Sequence, residues 1–172
     1  MTTASFPQKA HSIEILDVVG EEIRVLADSS STRGQCFIFE DISPPSGGPP
    51  LHTHTRDDEF FYILEGSVKF VIDGVESIAR AGEFRHAPRG SIHAFMNMGP
   101  GKSRMLITCT PAGLETAFRE VDALNRAGKM TPETLTAAFK KIELDIVGPP
   151  LSAMERFHQG NEQTSTITSQ VF

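Results

Sequence analysis

The sequence has few cysteines, few basic residues and no long apolar segment, and each shortage argues against a class of protein. The two cysteines, Cys36 and Cys109, lie in apolar, strand-like surroundings, so we expect buried reduced thiols rather than a disulfide or thiolate ligands. Lys and Arg number 16 against 22 Asp and Glu, a net charge of −6, which argues against a nucleic-acid partner or an anionic membrane surface. No run of about 18 apolar residues is present, so no membrane-spanning helix is expected.

The N-terminus and the length of the chain suggest a location and a size. Residues 1–11 contain no apolar stretch typical of a secretory signal, so we expect a cytoplasmic protein. The 172 residues suit one domain, which can bury a sizeable core without a disulfide. We predict a β-barrel with an N-terminal arm over 1–112, a helical extension over 113–147 and an extended or flexible tail over 148–172.

Residues 13–110 consist of short apolar runs separated by Gly, Pro, Asp or Asn. Runs at this spacing predict an antiparallel sandwich or barrel, so the fold is expected to be dominated by β-structure. Asp73 and Gly74 predict a tight hairpin turn. Val68, Phe70 and Ile72 alternate with polar positions and are expected on one face of their strand.

The pattern becomes helical after residue 113. Apolar residues at helical spacing predict a helix from residue 114 that ends near Gly128: Leu114, Ala117, Phe118, Val121 and Leu124.

A second helix is predicted from Thr131 as its N-cap, with Pro132 at the first helical position. Thr134 stands where a capping box usually has Glu or Gln, so the box is expected to be incomplete. The helix is predicted to end before residues 148–151 (GPPL). Both helices are expected to pack on the β-barrel, this one through Leu135, Ala138, Phe139 and Ile142.

Two histidines occur two positions apart in the segment LHTH, residues 51–54. If this segment is extended, His52 and His54 project to the same face. A short turn after them would bring Glu59 beside the pair on an adjacent strand. The spacing alone is weak support, because histidine pairs of this kind also occur in surface or packed positions, and Asp57 and Asp58 are expected to be turn residues.

A second cluster, GEFRHAPRGSIHAFMN, covers residues 82–97. Pro88 and Gly90 predict a tight turn, and His93 opens the next strand. Three imidazoles and one carboxylate would suit one divalent transition metal: Fe, Mn, Ni, Co, Cu or Zn. Four protein ligands leave positions open on a six-coordinate ion, and the lack of thiolates argues against a closed structural zinc site.

These two segments resemble the paired signature motifs of the cupin superfamily. The first motif, G-x5-H-x-H-x3–4-E-x6-G, is matched by His52, His54, Glu59 and Gly66, while its leading glycine is displaced by one residue, to Gly47. The second motif, G-x5-P-x-G-x2-H-x3-N, is matched at every fixed position, by Gly82, Pro88, Gly90, His93 and Asn97. The chain is most similar to single-domain quercetinase-like cupins, through its motifs and through TPAGLETAFREV at 110–121 and GPPL.

The resemblance implies a double-stranded β-helix, or jelly-roll barrel, in which His52, His54, Glu59 and His93 are metal ligands. It also implies dioxygenase activity on a small aromatic or enediol-like compound, with Glu59 acting both as a ligand and as the general base. Cupins commonly dimerise, so a homodimer is expected.

Alternation along the strands predicts which residues line the cavity. Phe61 and Ile63 share the face of Glu59, and Phe95 and Asn97 share that of His93. His86 could face inward as a substrate contact or be a packed or exposed structural histidine. The opposite face, with Phe60, Tyr62 and Leu64, should be covered by an N-terminal strand, the C-terminal helices or a second subunit.

Alternatives to the dioxygenase remain open. The fold could hold no metal, or the protein could be a non-catalytic binding module. An isomerase or another non-redox enzyme is also compatible, since one ligand set serves several chemistries.

Overall fold

The structure, a computed structural model, describes residues 13–157. Before a final helical segment, these residues form eleven strands and three helices, in the order β1 (Glu14–Val18), β2 (Glu21–Ala27), α1 (Ser29–Thr32), β3 (Phe37–Ser43), β4 (Pro50–His54), β5 (Asp58–Glu65), β6 (Ser67–Ile72), β7 (Val75–Arg80), β8 (Phe84–Ala87), β9 (Ile92–Asn97), β10 (Ser103–Thr110), α2 (Leu114–Arg126), α3 (Pro132–Lys140) and β11 (Leu144–Pro150). Residues 151–157 are also helical. Among the described residues no helix is both long and apolar enough to cross a membrane.

The strands form two antiparallel sheets. One sheet has the order β1-β2-β3-β10-β5-β8, and the other has the order β11-β4-β9-β6-β7. Strands that are distant in the chain are neighbours in each sheet, as in a double-stranded β-helix. This all-β architecture, with helices on its C-terminal side, is the predicted fold.

Alternation within strands accounts for the core between the sheets. Phe37 and Phe39 on β3, Phe61 on β5 and Phe70 on β6 are fully or almost fully buried, and neighbouring positions on these strands are more exposed. Burial of such aromatic side chains contributes roughly 1.5–3 kcal/mol each. The predicted hairpin at Asp73 and Gly74 is present, with both residues at positive φ.

The helices pack on the barrel as predicted. The Phe118 ring on α2 lies 5.5 Å from the Phe39 ring and 6.3 Å from the Phe139 ring on α3, measured between centroids. The helix ends before Gly128, whose φ is 64°. The backbone amide of Asp17 on β1 also donates a hydrogen bond to Asp122 on α2.

The capping box of α3 is complete, contrary to the sequence-based expectation. The Thr134 hydroxyl oxygen accepts a hydrogen bond from the Thr131 amide at 2.9 Å, and Thr131 Oγ1 accepts one from the Thr134 amide at 3.2 Å. Threonine therefore takes the position usually held by Glu or Gln because its hydroxyl reaches the same amide.

The C-terminal extension differs from the prediction. α3 ends at Lys140, and Leu144–Pro150 forms β11, which pairs with β4 where a helix had been predicted through residue 147. β11 is an edge strand, where Pro149 and Pro150 are tolerated because no partner needs their missing amides. Of the predicted extended or flexible tail, residues 148–150 are extended and residues 151–157 are helical. The predicted arm through residue 12 and the tail from residue 158 lie outside the described residues.

The outer face of β5 remains partly uncovered. Tyr62 is 44% exposed, and Phe84 on the neighbouring strand β8 is 53% exposed. Phe60 is half-buried, with its ring stacked on the exposed His86 at a centroid distance of 4.5 Å. Among the described residues, neither β1 nor the helices cover this face, and the expected homodimer stays a prediction.

Candidate metal centre

Four buried side chains, His52, His54, Glu59 and His93, converge between the two sheets. Their candidate ligand atoms all lie within 4.8 Å of one another. These are the four residues that the sequence predicts as metal ligands, and their arrangement is compatible with a divalent metal site.

The strand register explains this convergence. His52 and His54 lie on β4 with His93 beside them on β9, where it is the register partner of His52. Glu59 reaches the group from β5 in the facing sheet. Its Oε2 atom is 3.1 Å from Nε2 of His93 and 3.5 Å from Nε2 of His54. The site therefore bridges the two sheets and depends on the whole barrel.

The outer ring nitrogens are held by neighbouring groups. Nδ1 of His52 lies 2.8 Å from the Pro50 carbonyl oxygen, and Nδ1 of His93 lies 3.3 Å from the Ser91 carbonyl oxygen. A carbonyl oxygen only accepts hydrogen bonds, so these contacts favour the tautomer in which Nδ1 carries the proton and Nε2 offers a lone pair. Nδ1 of His54 lies 3.5 Å from a carboxylate oxygen of Asp57. Such contacts fix the tautomer and orientation of metal-binding imidazoles.

The inner atoms fit a cation. If Nε2 of His93 offers a lone pair, it faces a carboxylate oxygen of Glu59 that also offers lone pairs, so a positive charge is needed between them. Neither ring nitrogen of the buried His54 makes a hydrogen bond within residues 13–157. A buried polar atom without a partner is costly. One divalent ion would satisfy both requirements, and nitrogen and oxygen donors suit a first-row transition metal.

The local electrostatics favour the ligand forms of His52 and Glu59. Burial, reinforced by the charges of His93 and His54, lowers the pKa of His52 to about 3. Burial alone would raise the pKa of Glu59, but the neighbouring imidazoles, His93 first and then His54 and His52, together lower it to about 2. At neutral pH His52 is therefore neutral and Glu59 is ionised, as metal coordination requires.

The pKa of His54 moves in the other direction. Burial lowers it, but the Asp57 carboxylate, 3.5 Å from Nδ1, and the charge of Glu59 outweigh burial, so the net shift is upward. A bound cation would have to displace any proton held there.

The centre opens into a cavity with about 690 Å³ of atom-free space, including solvent at its mouth. Among the described residues, the polar side chains that line it are Glu21, Asp41, His52, His54 and Glu59. The remaining lining residues are apolar side chains together with Gly48, Pro49 and Pro50. A mostly apolar cavity with few polar groups is typical of a small-molecule site.

The predicted cavity lining is only partly correct. Phe95 lines the cavity, whereas Phe61 and Ile63 are 0% exposed and belong to the core. The rings of Phe61 and Phe70 lie 5.1 Å apart between centroids. Phe61 and Ile63 do share the face of Glu59, but this part of the barrel is filled by other side chains.

His86 and Asn97 do not line the cavity. In the register of β5 and β8, Glu59 is paired with Ala87 and Phe60 with His86, so His86 is on the outer face. Asn97 is buried, but its side-chain amide donates to the carbonyl oxygens of Ser43, Pro44 and Gly101. Its side-chain oxygen accepts from the Gly99 amide, so Asn97 holds together the chain segments on either side of β9.

Sequence reasoning missed several residues at this site. Glu21 and Asp41 carry buried carboxyl groups. Their signal in the sequence is that each shares a strand face with apolar residues, Ile23 on β2 and Phe37 and Phe39 on β3. Cys109 lies 3.6 Å from Glu59. The C-terminal elements α3 and β11 contribute Leu135, Phe139, Leu144 and Ile146 to the lining, and this required knowledge of how they pack.

The fold and site are those of a cupin barrel with a candidate metal centre. Residues 39–109 match the family model described as "Cupin domain", and this part of the chain contains all four candidate ligands. This region, less than half of the chain, therefore resembles a cupin domain.

Two curated relatives and one solved structure illustrate the range of similar proteins. The chain is 27% identical over 103 residues to quercetin 2,3-dioxygenase from Bacillus subtilis (strain 168), covering 59% of this chain and 30% of the relative. It is 30% identical over 71 residues to polyketide synthase CurC from Streptomyces cyaneus, covering 41% of this chain and 46% of the relative. The chain thus spans less than half the length of both relatives.

The structural comparison concerns the fold. A crystal structure of an RmlC-like cupin from Shewanella frigidimarina NCIMB 400 is similar, with a TM-score of 0.55 and 20% identity, covering 67% of this chain and 98% of that chain.

Proposed function

We propose that this protein is a metal-dependent dioxygenase acting on a small aromatic or enediol-like compound of the flavonol type. The observation that carries the proposal is the convergence of His52, His54, Glu59 and His93 at an apolar cavity. The partial similarity to a quercetin 2,3-dioxygenase supports this substrate class.

The four side chains would hold one divalent transition metal, namely Fe, Mn, Ni, Co, Cu or Zn. When bound, such a metal supplies a Lewis acid that polarises a coordinated substrate oxygen. The carbonyl groups of Pro50 and Ser91 keep His52 and His93 oriented toward the centre, and the Asp57 carboxylate does the same for His54.

Glu59 would accept the proton of a substrate hydroxyl. Its carboxylate is ionised at neutral pH, and Oε2 faces the histidines while Oε1 faces the Cys109 thiol. A carboxylate with a low pKa is a weak base, so the transfer is more favourable from an acidic enol or phenol than from an aliphatic alcohol. This preference agrees with a flavonol-type substrate.

The cavity wall would bind an aromatic ring and exclude water. Phe39, Phe95, Phe118 and Phe139 contribute to the wall, together with aliphatic side chains. Exclusion of water strengthens the electrostatic interactions of a substrate with the charged groups beside it.

Two measurements test the proposal. Elemental analysis of protein purified without added metal should give about one divalent ion per chain. Dioxygen uptake with a flavonol should require this ion and be abolished by chelators and by Glu59→Ala. Glu65→Ala is the matched control, since Glu65 is exposed at the end of the same strand. Uptake that persists in the Glu59→Ala protein would contradict the role of Glu59, and a metal-free protein with all four residues intact would count against catalysis.

A non-redox enzyme acting on a similar hydrophobic aromatic compound is the second candidate. The similarity to a polyketide synthase over 71 residues favours it. This alternative predicts conversion of an aromatic compound at the same rate with and without dioxygen. A binding module predicts ligand binding without any conversion.

We also infer a cytoplasmic homodimer that does not bind nucleic acid or membranes. The partly exposed side chains Tyr62, Leu64 and Phe84 would lie in the dimer interface. Sedimentation of the native protein and of a Tyr62→Lys variant would test this, with a monomeric native protein contradicting it.

A further inference from the structure

A second group of polar side chains lines the cavity and is not part of the candidate metal centre. Glu21 begins β2, and Asp41 lies on the adjacent strand β3, where it is the register partner of Ile23. Glu21 is 7% exposed and Asp41 is 3% exposed, and both line the cavity. In their sheet, β2 is three strands away from β5, which carries Glu59. The backbones of Glu21 and Glu59 are therefore about 14 Å apart in the direction across the strands.

The two carboxyl groups differ in how well they are satisfied. The Ser43 hydroxyl donates a hydrogen bond to Asp41 at 2.6 Å. Oε2 of Glu21, in contrast, is fully buried and makes no hydrogen bond within residues 13–157. A buried carboxyl oxygen without a donor is unfavourable, and native proteins rarely leave one without a functional reason. Glu21, which lines the cavity, thus has a carboxyl oxygen without a hydrogen-bond partner among the described residues.

The surroundings of Glu21 hold it in place. The loop before β4 closes over this carboxyl group, and a side chain added at Gly47 would come within 2.7 Å of Oε1 of Glu21. Gly48, the next residue, lines the cavity. Glu21 therefore cannot swing away to solvent without moving this loop.

The pair also retains a proton. Burial raises the pKa of Glu21, and burial together with the charge of Glu21 raises the pKa of Asp41 well above its usual range. In a pair of neighbouring buried carboxyl groups, the negative charge of one disfavours ionisation of the other, so one of them tends to keep its proton. Such a pair offers one O–H donor as well as acceptor oxygens, which matches a hydroxyl group that both donates and accepts.

We propose that Glu21, positioned beside Asp41, is a ligand-binding residue that accepts a hydrogen bond from a hydroxyl group carried by an otherwise apolar ligand. The rest of the wall near this pair is apolar, including Ile23, Phe39 and Leu114, so a strongly charged anion would not fit. The ligand would therefore have one polar end at the metal centre and a second hydroxyl at Glu21. This inference rests on the proposed function, because it assumes that one end of the ligand binds at the metal centre. It adds the requirement that the ligand carries a second hydroxyl group.

Binding of two flavonols under anaerobic conditions tests the proposal without turnover. The probes are 3-hydroxyflavone, which carries only the chelating hydroxyl, and quercetin, which carries additional ring hydroxyls. The metal-loaded native protein should bind quercetin about tenfold more tightly, the effect of one hydrogen bond to a buried group. Glu21→Leu should reduce this preference to within about twofold while leaving the affinity for 3-hydroxyflavone unchanged or higher.

Two further variants complete the test. Glu21→Gln keeps the size of the side chain and should retain part of the preference, which also covers the case in which Glu21→Leu does not fold. Glu22→Gln is the control, because Glu22 is the next residue along β2 and forms an ion pair with Arg24 outside the cavity. It should behave as the native protein.

The outcomes separate this inference from the proposed function. The inference is overturned if the native protein shows no preference, if Glu21→Leu retains the full preference, or if neither flavonol binds. The proposed function fails when dioxygen is not consumed, whatever the binding preference. A protein that shows the Glu21-dependent preference without consuming dioxygen would thus support the binding role of Glu21 and contradict the proposed dioxygenase activity.

Discussion

The sulfur of Cys109 lies 3.6 Å from Oε1 of Glu59, and the two residues are register partners on the adjacent strands β10 and β5. The thiol can donate a weak hydrogen bond to Oε1, which leaves Oε2 to face His93 and His54. The two carboxylate oxygens of Glu59 thus have different environments. Oε2 is therefore the oxygen of Glu59 that would hold a metal.

Cys109 should be unreactive in the native protein. It is fully buried, and burial raises the pKa of its thiol well above the usual range, with the charge of Glu59 adding to the effect. Only a thiolate reacts rapidly with alkylating reagents. We expect one labelled cysteine per native chain, the half-buried Cys36, and two after denaturation, measured by mass spectrometry. In a Cys36→Ser variant the native protein should remain unlabelled; rapid labelling of Cys109 would contradict its burial.

Asp57 should support metal binding through His54. Its carboxylate is buried 3.5 Å from Nδ1 of His54, whereas sequence reasoning assigned Asp57 to a turn. Loss of such an outer partner typically weakens metal binding about 10- to 100-fold. We therefore expect Asp57→Asn to weaken metal binding by about this factor, measured by competition with a chromophoric chelator.

Asp58→Asn is the matched control for Asp57→Asn. Asp58 is the adjacent residue, and its carboxylate forms an ion pair with Arg89 at 2.6 Å instead of contacting a histidine. Metal affinity should change less than about twofold in this variant, because it affects no candidate ligand. Equal effects of the two substitutions would show that Asp57 has no special relation to the centre.

The identities of the four candidate ligands could be predicted from the sequence, but local rules explain the placement of only two of them. His52 and His54 are two residues apart on one strand, so alternation places them on one side. Glu59 was expected beside them on an adjacent strand, whereas β5 lies in the facing sheet and Glu59 reaches them across the barrel. The turn at Pro88 and Gly90 sets where the next strand starts, although it does not say which strand His93 will face. That pairing is clear only from the structure.

The direction of His86 could not be predicted for a related reason. β8 has only four residues, and its mixture of apolar and polar side chains fits either phase of alternation. The phase is set by the partner strand, since a one-residue shift moves every side chain to the other face. Pairing of Ala87 with Glu59 sends His86 outward, where it stacks on Phe60.

The cavity itself depends on packing between distant parts of the chain. Phe61 and Ile63 face inward as predicted, yet the open space lies where β2, β3, the helices and β11 meet. Sequence patterns indicate which face of a strand is buried, but not which end of a barrel remains open. Leu144 and Ile146 illustrate this, because their strand was expected to be helical.

Asp28 should make stability depend on pH. Its carboxylate accepts hydrogen bonds from Ser30 and Ser31 at the start of α1 and forms an ion pair with Arg119 at 2.8 Å. The hydrogen bond from Ser30, followed by that from Arg119, lowers its pKa. A lowered pKa stabilises the folded state above the unfolded pKa of about 3.9, and the effect is lost as the pH falls toward the folded pKa.

Asp28→Asn tests this dependence, since Asn is an equally good N-cap and only the charge is removed. We expect a loss of up to about 1 kcal/mol in the free energy of unfolding at pH 7, decreasing below pH 4, measured by urea denaturation. Asp145→Asn, which breaks the more exposed ion pair with Lys140, should have a smaller effect. A loss for Asp28→Asn that is the same at pH 7 and pH 3 would contradict a charge effect.

Gly48 should not tolerate a side chain, because the loop that carries it lies directly against β9. Its φ is 147°, and an added Cβ would overlap the carbonyl oxygen of Phe95. Gly48→Ala should therefore reduce the free energy of unfolding by more than the roughly 1–3 kcal/mol of backbone strain alone, and it should also disturb the cavity wall. Gly74→Ala is the control, since Gly74 also has a positive φ, of 78°, but nothing lies within 4 Å of its added Cβ. Equal losses in the two variants, measured by thermal and urea unfolding, would mean that the contact with Phe95 has no effect of its own.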